Sequence, residues 1–183
     1  DSTGKDIPGI TFITGSTGTG KTVLLSFLLS QTQRYKVKPR IVMFDKDMGS
    51  AVFIRAMGGH YSQVTLGTPT GWNPFLLPNT DETRAFLKQL ILAILEEDGL
   101  PVSPRDKNEI DAAIRRTLDL PPEIASIEAF ANYMPGGNDS IRERLHAWTQ
   151  GEYRWIFNNP TDHFESGARI IGIDYTQFLD IQQ

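Results

Sequence analysis

Short apolar runs and longer amphipathic stretches alternate along this chain, and their periods predict its elements. Ile10-Thr11-Phe12-Ile13-Thr14 is a β-branched and aromatic run closed by Gly15, which predicts a buried strand. From Thr22, Val23–Leu29 is apolar nearly all round, as expected of a helix that packs on a sheet and is covered by something else; it runs on to about Tyr35. After a polar connection, Ile41–Phe44 predicts a second buried strand ending in Asp45-Lys46-Asp47. Strand, glycine-rich loop, helix and strand make one βαβ unit, so the chain belongs to the α/β class with a mainly parallel sheet. A helix is expected over Gly49–Met57, a third strand over Gln63–Leu66, and a loop over Gly67–Pro78, where Gly, Pro and Asn gather.

The middle of the chain reads as helical. Asn79 with Glu82 three residues on resembles a capping box, opening a helix whose broad apolar face is Phe86, Leu87, Leu90, Ile91, Ile94 and Leu95. Ser103, Pro104 and Asp106 start the next, with Ile110, Ala113, Ile114 and Leu118 as its inner stripe. Shorter helices are expected at about Ser126–Tyr133 and Ser140–Thr149. Alternation of Tyr153, Trp155 and Phe157 predicts a strand, Asn158-Asn159-Pro160 a turn, and Arg169–Tyr175 a further strand. One domain is expected, in three segments: a βαβ core over 1–78, a helical insertion over 79–150, and a return to the sheet by hairpin strands over 151–183.

Composition narrows the field without deciding it. With 183 residues, the chain suits one domain with a sizeable core. Its 18 basic and 22 acidic residues give a net charge of −4, so no overall basic field for nucleic acid exists. Cysteine is absent, which excludes disulfides, thiolate zinc sites and cysteine nucleophiles. The three histidines, His60, His146 and His163, have no ligand spacing. No apolar run approaches the roughly 18–20 residues that span a bilayer. The sequence opens on Asp-Ser-Thr-Gly-Lys and stops shortly after Asp180, the look of a piece cut from a longer protein.

The chemistry gathers at one motif. Gly15, Ser16, Thr17, Gly18, Thr19, Gly20, Lys21 and Thr22 match the phosphate-loop pattern GxxxxGK[ST] in full. Its glycines let the backbone curl so that successive N–H groups face phosphate oxygens, at the positive end of the following helix. Lys21 is expected to bridge β- and γ-phosphates and to act in catalysis, and Thr22 to offer its hydroxyl to magnesium. An apolar strand before and an apolar helix behind are the context the motif needs. The ligand expected is ATP with Mg2+. Asp45 and Asp47 sit at the C-terminal end of the second strand, the edge where open parallel sheets bind ligands. Asp45 is the second catalytic candidate, holding a magnesium-bound water or orienting the attacking one. Asp174 has the superficial shape of a magnesium-associated carboxylate, but Gly172 interrupts its run and Tyr175 follows where a Glu is expected, so a hairpin strand ending in a turn is the better reading. Tyr153, Trp155 and Phe157 are better read as a packed strand face than as base-stacking rings, and Arg142 and Arg144 as surface charges than as groups acting on a phosphate across a subunit boundary.

Together these residues resemble one family, the large ATPase of type IV secretion and conjugation systems (VirB-type, of the TraC, TrbE and CagE kind). The resemblance rests on the phosphate loop running into Val23–Leu29, on Phe44–Gly49 followed by Phe53–Gly59, on Thr70–Phe75, and on Gly172–Asp180. It implies a RecA-like domain of the HerA/FtsK branch with a helical insertion. It further implies ATP hydrolysis powering pilus assembly and substrate transfer, in a hexamer at the cytoplasmic face of a bacterial inner membrane among other secretion-system components. In that family an Asp-Glu pair follows the block matched by Gly172–Asp180, so this piece is expected to lack the catalytic Glu and the trans-acting Arg. Two other readings remain open: a DNA-translocating ATPase, and a nucleotide-binding assembly module that does not itself hydrolyse ATP.

Overall fold

The computed structural model describes residues 9–96 and 99–180. Its elements run α1 (Lys21–Thr32), β1 (Ile41–Asp45), α2 (Ala51–Ala56), β2 (His60–Gln63), a 3-10 turn at Pro74–Leu76, α3 (Asp81–Glu96), α4 (Pro104–Leu118), α5 (Ile127–Asn132), α6 (Ile141–Arg144), α7 (His146–Thr149), α8 (Arg154–Phe157), β3 (Ile170–Asp174) and α9 (Thr176–Asp180). The described residues fall into two compact units, one within Asp1–Gln63 and Gly167–Gln183, the other Val64–Ser166.

The first unit carries the sheet. Its order is β1-β3-β2, and both pairings are parallel, with Ile41 opposite Ile170, Asp45 opposite Asp174 and Gln63 also opposite Asp174. This is the α/β architecture the βαβ pattern predicts. Register matters here, because it brings three strands to an end at one level and sets Asp45 beside Asp174. Ile41, Met43, Ile54 and Ile170 form the core of this unit, and Leu25 and Leu29, one turn apart on α1, pack against it. The remaining apolar positions of α1 (Val23, Leu24, Phe27 and Leu28) are exposed, as are Val42 and Phe44 on β1. So β1, expected to be buried, is buried on one face only.

In this unit three predicted strands need correction. Residues 10–14 take no regular structure, and Ile10 and Phe12 are 78% and 86% exposed. An apolar run becomes a strand only where another strand completes its ladder, and no described strand pairs with it. The third strand lies at His60–Gln63 and not at 63–66, with Val64 buried just beyond it. The return at Ile170–Asp174 is a single parallel strand and not part of a hairpin.

The second unit is helical, around Phe75, Leu87, Ile91, Leu95, Ile110, Ile114, Ile127, Phe130 and Leu145. Phe75 and Phe130 stack with centroids 5.6 Å apart. On α3 the expected face is buried at Leu87, Ile91, Ile94 and Leu95, whereas Phe86 is exposed. Its cap is Thr80, whose Oγ1 accepts from the Thr83 N–H. Asn79 instead bonds Asp119 and Arg84. Helix α4 starts at Ser103 as read, and it is here, not at Asn79, that a capping box forms, with Ser103 Oγ accepting from Asp106 N at 3.1 Å and Asp106 Oδ2 accepting from Ser103 N at 3.1 Å. Replacing Ser103 by Ala is expected to cost about 1 kcal/mol in denaturant unfolding, with no change in nucleotide binding.

Residues 154–157, read as a strand, form the one-turn helix α8. Trp148 stacks on Phe157 and tilts against Tyr153, at centroid distances of 5.9 and 5.1 Å. The aromatic alternation thus serves packing on α7, where a single helical turn lets both rings reach one tryptophan.

Candidate nucleotide-binding site

The phosphate loop is built by two glycines in the left-handed region, Gly18 at φ 82° and Gly20 at φ 85°, where a Cβ is disfavoured. Thr19 closes the turn between them, its N–H and its hydroxyl both donating to the Ser16 carbonyl. Gly20 then caps α1 without any side-chain bond, and the first bond of the helical ladder runs from Leu24 N to Gly20 O at 2.9 Å. The first-turn amides of Lys21, Thr22 and Val23 therefore have no intrahelical acceptor, which is the anion-binding property of a helix start. Lys21 Nζ arches back over the loop, donating to the carbonyls of Gly15 at 2.7 Å and Ser16 at 2.6 Å. Every residue of the expected motif is thus gathered around one turn, with its cation folded across it.

Asp45 ends β1 on the same side. A Cβ on Gly49 would lie 3.6 Å from Thr22 Cγ2 and 3.8 Å from both Thr22 Oγ1 and Asp45 Oδ1. The threonine hydroxyl and one carboxylate oxygen therefore border a single small space, kept open by the missing side chain of Gly49. Hard oxygen donors around such a space suit magnesium, so the residues present fit that ion.

The other oxygen of Asp45 is fully engaged. Oδ2 accepts from Ser50 N at 2.8 Å, Ser50 Oγ at 2.6 Å and Tyr61 Oη at 2.7 Å. Burial pushes the Asp45 carboxyl up, but hydrogen bonds from the Ser50 and Tyr61 side chains and the Ser50 and Lys46 amides outweigh it and hold it below the ordinary carboxylate range. Burial first, then the Asp45 bond and the charges of Asp45 and Asp174, push the Tyr61 phenol far above its usual value, so it stays a donor. Ser50 and Tyr61 escaped the sequence reading. Gly172 was the signal available, since a glycine inside an apolar strand marks a close approach.

Asp47 and Met48 stand in the left-handed region at φ 62° and 53°, an uncommon conformation for two successive non-glycine residues. A hydroxyl holds this turn: Thr176 Oγ1 accepts from Asp47 N at 2.6 Å and donates to Asp174 Oδ1 at 2.5 Å. The same Asp174 oxygen accepts from Thr176 N, so Asp174, 1% exposed, ties the start of α9 to the end of β3. Asp174 is thus a linking carboxylate at the end of a parallel strand, not the end of a hairpin.

Other sequence candidates lie in the helical unit and are internally engaged. Arg142 donates to Asn132 Oδ1, and Arg144 to the carbonyls of Leu95 and Leu100. A groove of about 930 Å3 between α5, α6 and α7 contains Glu128, Arg142 and His146. Glu128, its carboxylate, is already bonded by Gln150 and Asn158.

A parallel sheet with a glycine-framed loop, a lysine over it and a carboxylate at the next strand end define a P-loop α/β protein. Solved-structure comparison agrees on the fold: the chain superposes on VirB4 of Thermoanaerobacter pseudethanolicus with a TM-score of 0.59 at 13% identity, over 90% of this chain and 49% of that one. No family model matches the chain. Among curated proteins it is 34% identical to the type IV secretion system protein VirB4 of Bartonella quintana over 178 residues, which are 96% of this chain and 22% of that protein. It is 33% identical to VirB4 of Brucella abortus and to PtlC of Bordetella pertussis, each over 98% of this chain and 24% of theirs. The chain therefore corresponds to a segment of the VirB4-type proteins of type IV secretion systems, about a quarter of their length.

Proposed function

We propose that this chain is the nucleotide-binding part of a secretion-system motor, taking ATP with magnesium at Gly15–Thr22. The single observation that carries the reading is the convergence at one turn of uncapped helix amides, the Lys21 ammonium, the Thr22 hydroxyl and a fixed carboxylate. In this reading the amides of Gly15–Thr22 bind the β- and γ-phosphates, and Lys21 leaves the carbonyls of Gly15 and Ser16 to bridge them. Magnesium, when bound, neutralises the same oxygens. Thr22 supplies a hydroxyl ligand, and Asp45 Oδ1 orients a water beside it. Hydrolysis by the full-length protein drives pilus assembly and substrate transfer. The working assembly is a hexamer at the cytoplasmic face of the inner membrane, among other secretion-system components. No helix among the described residues is long and apolar enough to cross a membrane. The domain plan of core, helical insertion and return to the sheet belongs to the same proposal.

Gly49→Ala tests the metal-facing half of this reading. The residue is not in the left-handed region, so alanine fits its backbone, while the added methyl occupies the space between Thr22 and Asp45. The added affinity for ATP that magnesium confers is expected to fall about tenfold by calorimetry, with affinity for metal-free ATP unchanged. Identical behaviour of variant and parent in magnesium would count against the assignment.

A second reading, an assembly module that binds ATP without hydrolysing it, is favoured by Tyr175 following Asp174 and by the engagement of Asp174 Oδ1 with Thr176. Phosphate release by this chain, abolished by Lys21→Ala, would rule that reading out.

A further inference from the structure

A carboxylate at a strand end rotates readily about its terminal torsion, which is broad and roughly two-fold. Asp45 does not have that freedom, because three donors converge on one of its oxygens. Two come from Ser50, at the start of α2. The third, the Tyr61 phenol, arrives from β2, on the far side of β3, and its route across the sheet is built into the neighbouring strand.

Tyr61 pairs in register with Gly172. A Cβ on Gly172 would stand 2.5 Å from Tyr61 Cδ2, 2.9 Å from Tyr61 Cε2 and 3.1 Å from Ile54 Cγ1. Any larger residue there would push the ring away, so the glycine in an otherwise isoleucine-rich strand is explained by the tyrosine that lies on it. Gly172 has no left-handed φ, which leaves this steric reason rather than a backbone one. The Arg55 guanidinium lies 5.4 Å from the ring centroid, a second contact that fixes the ring.

We infer that Tyr61 is a positioning residue for the reaction: with Ser50 it pins Oδ2 of Asp45, so that Oδ1 stays on the Gly49 side, where Thr22 Oγ1 lies. The inference rests on the reading of Asp45 as the water-orienting carboxylate. An anchored carboxylate presents one oxygen in one direction. An unanchored one samples orientations in which that oxygen is turned away, and turnover falls while ATP still binds, because the phosphate contacts come from the loop and not from Asp45.

The test uses the full-length protein and compares Tyr61→Phe, Ser50→Ala, Asp45→Asn and the Tyr61→Phe/Asp45→Asn double variant. Phenylalanine keeps the ring over Gly172 and removes only the hydroxyl. Its expected signature is a kcat lower by about tenfold to a hundredfold, the range of one hydrogen bond to a charged group. The calorimetric Kd for magnesium and a non-hydrolysable ATP analogue, and KM, should stay within about threefold. Ser50→Ala, which leaves the tyrosine untouched, is expected to move kcat in the same direction. In the double variant Tyr61→Phe should cause no further loss beyond Asp45→Asn, because its effect passes through that carboxylate. Full activity in Asp45→Asn would overturn the underlying reading of Asp45. A crippled Asp45→Asn beside an unchanged kcat in Tyr61→Phe would overturn the positioning role alone. Losses that multiply in the double variant, or a loss of analogue binding and melting temperature in both Tyr61→Phe and Ser50→Ala, would show a merely structural tyrosine and overturn it as well.

Discussion

Lys21→Ala is expected to weaken ATP binding by about tenfold to a hundredfold while leaving the fold intact. The ammonium lies across the loop on the carbonyls of Gly15 and Ser16, partly exposed and outside the hydrophobic core, so its removal opens no cavity. What is lost is a charge-assisted contact to phosphate, worth roughly 1.5–3 kcal/mol, and the affinity change follows from that figure. Calorimetry with ATP and magnesium, beside a thermal melt, checks both halves. Undiminished affinity in a folded variant would mean that the triphosphate is held elsewhere.

The largest stability effect is expected in the helical unit, at a residue with no chemistry of its own. Asn73 is 1% exposed, and its side chain ties three segments together. Nδ2 donates to the carbonyls of Ala125 at 2.9 Å and Asn159 at 2.8 Å, and Oδ1 accepts from Phe75 N at 3.1 Å. Asn159 returns the favour, with Nδ2 reaching the Trp72 and Ile156 carbonyls. Replacing Asn73 by Ala leaves buried carbonyls and an amide without these partners, at about 1–3 kcal/mol each, so a loss of about 3 kcal/mol or more is expected in denaturant unfolding. Nucleotide affinity of the folded fraction should not change. A loss under about 1 kcal/mol would show that the neighbouring groups find other partners. The Thr70–Phe75 block, one of the stretches that carry the family resemblance, is therefore a structural staple.

How far the fold was legible depended on whether a signal was local. The turn glycines before α1, the Ser103-Pro104-Asp106 helix start and the β1 run Ile41–Phe44 each carry their cause within a few residues. A helix, a helix and a strand form there, although β1 is buried on one face only and the capping box lies at Ser103, not at Asn79 as expected. Ile10–Thr14 and Tyr153–Phe157 did not, because a strand also needs a partner and alternation cannot supply one. The first finds no described strand beside it. The second finds Trp148 and winds into a helical turn. Tertiary chemistry was the least visible. Tyr61 and Asp45 stand 16 positions apart on different strands, and Asn73 meets Asn159 across 86. Gly172 held a trace of the first pairing, but read alone it only weakened the case for Asp174 as a magnesium-associated carboxylate.

The exposed apolar residues of α1 and β1 fit the same logic. Val23, Phe27, Val42 and Phe44 have the composition of buried positions, and the described residues do not cover them. Helix α1 packs on the sheet through Leu25 and Leu29 as read, whereas the cover expected on its second side is not supplied by the described residues.

A crystal structure with magnesium and a non-hydrolysable ATP analogue would place the triphosphate directly. The expected structure has β- and γ-phosphates against the amides of residues 15–22, Lys21 turned from the Gly15 and Ser16 carbonyls onto them, and a metal ion touching Thr22 Oγ1 on the Asp45 side. A triphosphate bound away from this turn, or Lys21 still on those carbonyls with the analogue in place, would contradict it.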